Sequence, residues 1–313
     1  MIDPLKNKRY IGYVLAVGAA TLWGVSGTFA QFLFQEKGLN PEWLVSVRMT
    51  SAGLLLLCWI ASRNTQSLWS IWKDSNDRKQ LWIFSILGML AVQYTYFAAI
   101  AHSNAATGTV LQYLGPVFIA IYFAVKKMQL PSVLETLAIL LAVLGTYLMV
   151  THGNWQELTI TKTALFWGVA AAVALAFYTI QPAHLLQKFN SGVVVGWGMF
   201  LGGLFFSLVG KPWIVPGIWD IQTWMSTLFI IIFGSLIPFY AYLTAVKWIG
   251  AQTSSLLACA EPLSAALFAV IWLNTPFGPM DWLGTLCIIL TITLLILFPA
   301  KPVLSKNIDP EHI

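Results

Sequence analysis

Charge is scarce in this sequence. Only 9% of its 313 residues are Asp, Glu, Lys or Arg, while 58% are hydrophobic. Soluble domains carry about 25% charged residues, and so small a supply cannot cover a water-facing surface. A soluble enzyme is excluded, and the chain belongs in lipid. Cysteine is scarce too. Cys58, Cys259 and Cys287 lie in separate apolar runs with no close spacing, which argues against a disulfide framework and a zinc site. They read as small packing residues, and no metal or cofactor is expected. The sequence also lacks low-complexity tracts, a His-Glu-x-x-His pair and a paired-aspartate protease signature.

What the chain does contain is apolar runs of about 20 residues, the length a helix needs to cross roughly 30 Å of hydrocarbon. They fall near 11–34, 41–61, 81–102, 105–125, 132–151, 163–186, 192–210, 223–246, 250–273 and 280–299. The expected fold is an all-α integral membrane protein of ten transmembrane helices. A repeat divides it: Gly88, Tyr94, Tyr96, Ala99, Thr107 and Pro116 reappear in register as Gly234, Tyr240, Tyr242, Ala245, Thr253 and Pro262, and Glu135 is matched by Asp281. The expected units are 1–155 and 156–300, each with five spans and joined near Thr151 to Lys162, followed by a tail at 301–313. Because five is odd, the second unit enters the membrane from the opposite face, which makes the repeat inverted.

Basic residues set the orientation, since cytoplasmic loops retain Lys and Arg. With the N-terminus inside, the inner segments hold Lys6, Lys8, Arg9, Arg63, Lys73, Arg78, Lys79, Lys126, Lys127, Lys188, Lys247, Lys301 and Lys306. The outer loops hold only Lys37, Lys162 and Lys211, and Arg48 lies inside a span. Both termini are expected in the cytoplasm of a multi-pass cell-membrane protein. The net charge of +5 is this topology signal, so no nucleic-acid partner is implied. The apolar run after Arg9 reaches about Phe34, longer than a cleavable signal, and reads as the first helix. Trp69 and Trp72 share a face beside Lys73 in an interfacial element, and Trp43, Trp82, Trp155, Trp213, Trp219, Trp224, Trp248 and Trp282 cluster near span ends as headgroup anchors.

A duplicated membrane bundle whose halves can rock about a central site is a common build for secondary transporters, so transport of a small molecule is the expectation. The motifs agree. Leu22-Trp23-Gly24 in the first span, Arg48 followed by Ala52-Gly53-Leu54-Leu55-Leu56 in the second, the stretches Thr107 to Pro116 and Thr253 to Pro262 with Glu261-Pro262, and Gly145 and Gly284 together resemble the drug/metabolite transporter superfamily, EamA type. The resemblance covers nearly the whole chain. It departs where the family often has Gly-Glu after the fourth and ninth helices, for those places read Lys126-Lys127 and Asn274-Thr275. It implies ten helices in two repeats and carriers that mostly export amino acids, related metabolites or drugs.

A transport site must be polar, within a span and turned toward other helices. Glu261 lies ten residues past Ala251, about 15 Å along a helix and near the midplane. A carboxylate there must be paired, wetted or protonated, so Glu261 is a candidate proton carrier or cation contact; alternatively it bonds backbone groups freed by Pro262. Its repeat mate is Gly115. Arg48 reads as a structural partner of a carboxylate or a helix end. Gln93 with Tyr96, Thr109 with Gln112, and Ser254 with Ala258 and Glu261 share helix faces by spacing. With Trp23, Ser26, Tyr94, Tyr178, Gln181 and Tyr240 they form a candidate substrate cavity; each residue alone equally suits a tie between helices. Pro116, Pro182, Pro238 and Pro262 would bend helices near that site, and Gly24, Gly27, Gly202 and Gly203 would let helices approach. Two other readings are a channel and a rhomboid-type protease on Gly24-Val25-Ser26-Gly27, with Ser26 as nucleophile and His184 or His102 as base. The duplication, with no second Ser and His set, argues against catalysis.

Overall fold

The computed structural model describes residues 4–63, 65–103, 105–127, 131–151, 154, 161–273 and 278–297. The tail at 301–313, Asn274-Thr275, Trp155 and most of the junction between the units lie outside the described residues, as do the side chains of Lys6, Thr107, Lys127 and Asp281.

Every regular element among the described residues is helical. Among the described residues six helices are long and apolar enough to cross a membrane: Lys8–Gln35, Pro41–Arg63, Ser75–Ala101, Lys162–Lys188, Ser191–Gly210 and Ile221–Ile249. Shorter apolar helices cover Gly115–Lys126, Val133–Leu148 and Trp282–Leu294.

The fourth and ninth apolar runs differ from the expectation of single spans, because each is divided. Helix Ala105–Gln112 gives way to Gly115–Lys127, and helix Ala251–Leu257 to Ala260–Leu273. The cause is in the sequence. Pro116 and Pro262 lack the N–H that would bond the carbonyl four residues back, and their rings crowd that turn, so each sits near the start of a new helix. The other two prolines lie inside longer continuous spans, where Pro182 precedes helix Ala183–Lys188 and Pro238 opens Ile237–Ile249. The third and eighth runs carry matching π-helical segments, Phe84–Leu90 and Ile232–Leu236, around the repeat mates Gly88 and Gly234. In each, a serine hydroxyl takes a carbonyl of the preceding turn: Ser85 to Leu81 at 2.7 Å and Ser235 to Ile230 at 2.8 Å.

Packing follows the repeat. Pro41–Arg63 lies against its mate Ser191–Gly210, and Val133–Thr151 against its mate Pro279–Leu297. The first helix packs on Ile237–Ile249, and Lys162–Ile180 packs on Ala91–Ala101, the same contact with the halves exchanged. The crossing of Pro41–Arg63 and Ser191–Gly210 is close because small residues meet there. A methyl group at Gly53 would stand 2.8 Å from Phe200 Cα and 3.0 Å from the Gly196 carbonyl oxygen.

Polar ties join the halves at both ends of Pro41–Arg63. At one end Lys37 Nζ donates to Asp220 Oδ2 at 2.6 Å, and the Ile218 N–H to the Lys37 carbonyl at 2.9 Å. Asp220 also caps helix Ile221–Ile231 through the Thr223 N–H. The Lys37 ammonium and Thr223 hold its carboxyl well below the usual carboxylate range. At the other end buried Asp77 accepts from Lys188 Nζ at 2.5 Å and lies 3.3 Å from His184 Nε2. Trp69 and Trp72, expected at the interface beside Lys73, both pack on Trp197. Trp43, expected as a headgroup anchor, is buried against Trp219, whereas Trp82, Trp213 and Trp224 are exposed.

Candidate binding site

One cavity lies between the halves, with about 600 Å³ of atom-free space, open solvent included. The first half contributes Trp23 and Ser26 from the first helix, Arg48 from the second, Gln93, Tyr96 and Phe97 from Ala91–Ala101, and Gln112 and Tyr113 from the first helix break. The second half contributes Tyr178, Gly234, Phe239, Ser255, Ala258 and Glu261. Both π-helical segments and both helix breaks adjoin these residues, so the places where backbone is irregular converge on the hollow. Irregular backbone at membrane depth is tolerated where it faces a cavity or other protein.

The walls are largely aromatic. Trp23 meets Phe239 and Tyr242 with centroids 5.0 and 5.2 Å apart, and Tyr178 stacks on Tyr242 at 5.9 Å. The first helix reaches the site by close approach at Gly24, where a Cβ would strike Ser264 Oγ and the Glu261 carbonyl.

The polar groups fall into two clusters. Glu261 is 5% exposed, and its Oε1 accepts the Tyr96 hydroxyl at 3.1 Å; that hydroxyl also lies 3.0 Å from Thr109 Oγ1. Arg48, 3% exposed, has its guanidinium carbon 4.4 Å from the Phe97 centroid and 5.9 Å from that of Phe239. Such a contact is worth about 2 kcal/mol when desolvated. Its Nη2 donates to the Gly234 carbonyl at 3.2 Å, the group that Pro238 cannot supply with an N–H. The carbonyl that Pro262 leaves short, Ala258, is met by the Tyr113 hydroxyl and by the Glu261 N–H. The side chains of Arg48 and Tyr113 thus repair proline breaks in the opposite half. Tyr113→Phe should therefore lower stability by about 1 kcal/mol, the net worth of one hydrogen bond, read as an earlier thermal unfolding transition in detergent; an unchanged transition would show that the tie carries no weight.

The cavity gathers eight of the thirteen expected lining residues: Trp23, Ser26, Gln93, Tyr96, Gln112, Tyr178, Ala258 and Glu261. Five lie elsewhere. Thr109 Oγ1 is 3.0 Å from the hydroxyl of the lining Tyr96. Tyr94 donates to Glu42 Oε1 at 2.9 Å and packs on Trp167 and Phe206, and Tyr240 packs on Trp59. Gln181 Nε2 donates to Gln80 Oε1 at 2.8 Å, and Ser254 is buried one residue from the lining Ser255. Tyr94 and Tyr240 are repeat mates that face away together, while Tyr96 is the tyrosine that reaches in. Sequence reasoning assigned Arg48 to structure alone and did not single out Tyr113, Phe97 or Phe239; the signal for Arg48 was an arginine within an apolar run. Of the prolines expected as bends, Pro116 and Pro262 stand where a new helix starts after a broken turn, and Pro182 and Pro238 lie inside continuous spans. His184, considered as a base for Ser26, lies against Asp77.

The sequence pattern of the EamA-like transporter family matches the chain twice, at residues 10–151 and 162–297. The chain is 39% identical over 281 residues to a Salmonella typhimurium protein named as an uncharacterized inner membrane transporter, YicL, covering 88% of this chain and 92% of that one. It is 23% identical to the uncharacterized transporter YwfM of Bacillus subtilis over 99% of this chain and all of that one. A solved crystal structure shares the fold, with a TM-score of 0.74 at 16% identity over 91% of this chain and 96% of the other. The bundle of apolar helices around an aromatic and polar hollow is thus that of a multi-pass membrane transporter for a small molecule and not of an enzyme. The chain belongs to the EamA-like transporter family.

Proposed function

We propose that the chain is a secondary transporter of the cell membrane that moves a small organic solute, an amino acid or related metabolite, by alternating access, in the export direction that the family resemblance implies. In this reading ten spans form two inverted units, 1–155 and 156–300, both termini are cytoplasmic, and the divided fourth and ninth runs count as single crossings. The observation that carries it is the cavity itself, built from both halves, walled by aromatic rings and holding polar groups without partners. The packing that survives exchange of the halves supports it, because rocking one unit against the other would open such a hollow to either face.

Saturable counterflow of labelled solute in proteoliposomes tests the carrier; flux that neither saturates nor exchanges would indicate a channel. Trp23→Ala should weaken solute binding at least tenfold, since it removes the ring that meets Phe239 and Tyr242, while the protein still elutes as one folded species. An unchanged Kd by calorimetry would remove Trp23 from the wall.

A further inference from the structure

We propose that Arg48 is the docking point for a carboxylate of the transported solute, so that the protein selects small carboxylates. This rests on the carrier reading above and names the chemistry its cavity accepts.

The guanidinium is 3% exposed, yet it takes part in no ion pair: among the described residues those pairs are Lys37 with Asp220 and Lys188 and His184 with Asp77. Its protein contacts are two aromatic faces and one carbonyl, and its Nε–H has no partner. Around the same hollow the Trp23 Nε1–H, the Gln93 amide and the Tyr178 hydroxyl are also buried without partners. Three of these groups lie on residues at most 3% exposed. A buried donor left unmet is costly, and the lining of this hollow holds several. Their sum is an excess of donors beside a fixed positive charge, which the two oxygens of a carboxylate match; a guanidinium fork engages both at once.

The acidic wall complements this. Glu261 is in the same cavity, unpaired with Arg48, and accepts from Tyr96 at Oε1. A solute with a carboxylate at one end and an ammonium at the other would satisfy both walls, its apolar body lying along Trp23, Phe239 and Tyr178. A plain monocarboxylate would satisfy the Arg48 wall only and should bind more weakly.

The test is thermal shift and calorimetry on the purified full chain, using the standard amino acids and small monocarboxylates, each beside its primary amide and its decarboxylated amine. At least one carboxylate should stabilise the protein, and its amide and amine should bind at least tenfold more weakly. Arg48→Gln should abolish that preference and Arg48→Lys should retain part of it. If Arg48→Gln does not fold, Gln93→Leu should still lower carboxylate affinity several-fold, by more than it lowers the affinity for the matching amide. Tighter binding of amides or amines, undiminished carboxylate affinity in Arg48→Gln, or no binding by any carboxylate in the set would overturn the proposal. An amine that binds and exchanges in proteoliposomes would overturn it while leaving the carrier reading standing; a bound carboxylate that never exchanges would do the reverse.

Discussion

Glu261→Gln should abolish solute flux driven by a pH gradient, a loss of at least tenfold, while leaving solute exchange across proteoliposomes, measured at saturating solute, within about twofold of the unsubstituted protein. The reasoning starts from cost. An ionised carboxylate deep in a membrane bundle must be paired, wetted or neutralised, and Glu261 has a hydroxyl partner, Tyr96, and no cation among the described residues. In the proton-coupled reading a proton is its counter-charge, and loading that proton in one access state and releasing it in the other would couple solute to the gradient. Glutamine keeps the volume and still accepts from Tyr96 but cannot carry a proton. Exchange needs the rocking step and not proton release, so it should persist. If the pH dependence of uptake is unchanged in this variant, Glu261 serves only to hold the Tyr96 and Thr109 cluster in place.

Gly53→Val should have the larger effect on the fold. The added carbons would meet the backbone of Phe200, with Cα 2.8 Å away, and the Gly196 carbonyl at 3.0 Å. These are backbone atoms of the facing helix and cannot turn aside. On the partner helix Gly203 has the same relation to Thr50, so the strain cannot be relieved by sliding toward that end. Overpacking of this kind costs about 3 kcal/mol, a large part of the roughly 5–15 kcal/mol that holds a domain folded. Loss of the monodisperse peak in fluorescence-detected size exclusion is the expected reading; Gly53→Ala should show a milder loss. A valine variant that elutes and melts as the unsubstituted protein does would mean that the two helices are not held at this distance.

The helical class and the placement of the apolar runs were legible because they depend on patterns that lipid enforces, length and apolarity, and the duplication was legible in residues that recur in register. The cavity was legible in part. Spacing brought Gln93 and Tyr96 to one face, and both do line the hollow. Tyr94 was grouped with them as the repeat mate of Tyr240, but its hydroxyl turns to Glu42 instead, because a repeat shows that two positions correspond and not which neighbour either one meets. Arg48 was hidden for a related reason. Its site is assembled by a carbonyl 186 positions away and by two rings from different helices, and no local pattern encodes such a meeting. The prolines were read as bends within continuous spans; Pro116 and Pro262 instead stand where a new helix starts after a broken turn, whereas Pro182 and Pro238 lie inside the continuous spans Lys162–Lys188 and Ile221–Ile249.

The duplication stops short of the site's charges. The mate of Arg48 is Val194 and the mate of Glu261 is Gly115, so the pseudo-symmetry that relates the helices does not relate the electrostatics. A dipolar guest held between these walls would have one preferred heading, and it would keep that heading while the exit moved from one side of the bilayer to the other. In the proposed alternating-access carrier such a guest would leave tail first through one mouth and head first through the other, so chemically identical release steps on the two sides would have unequal barriers.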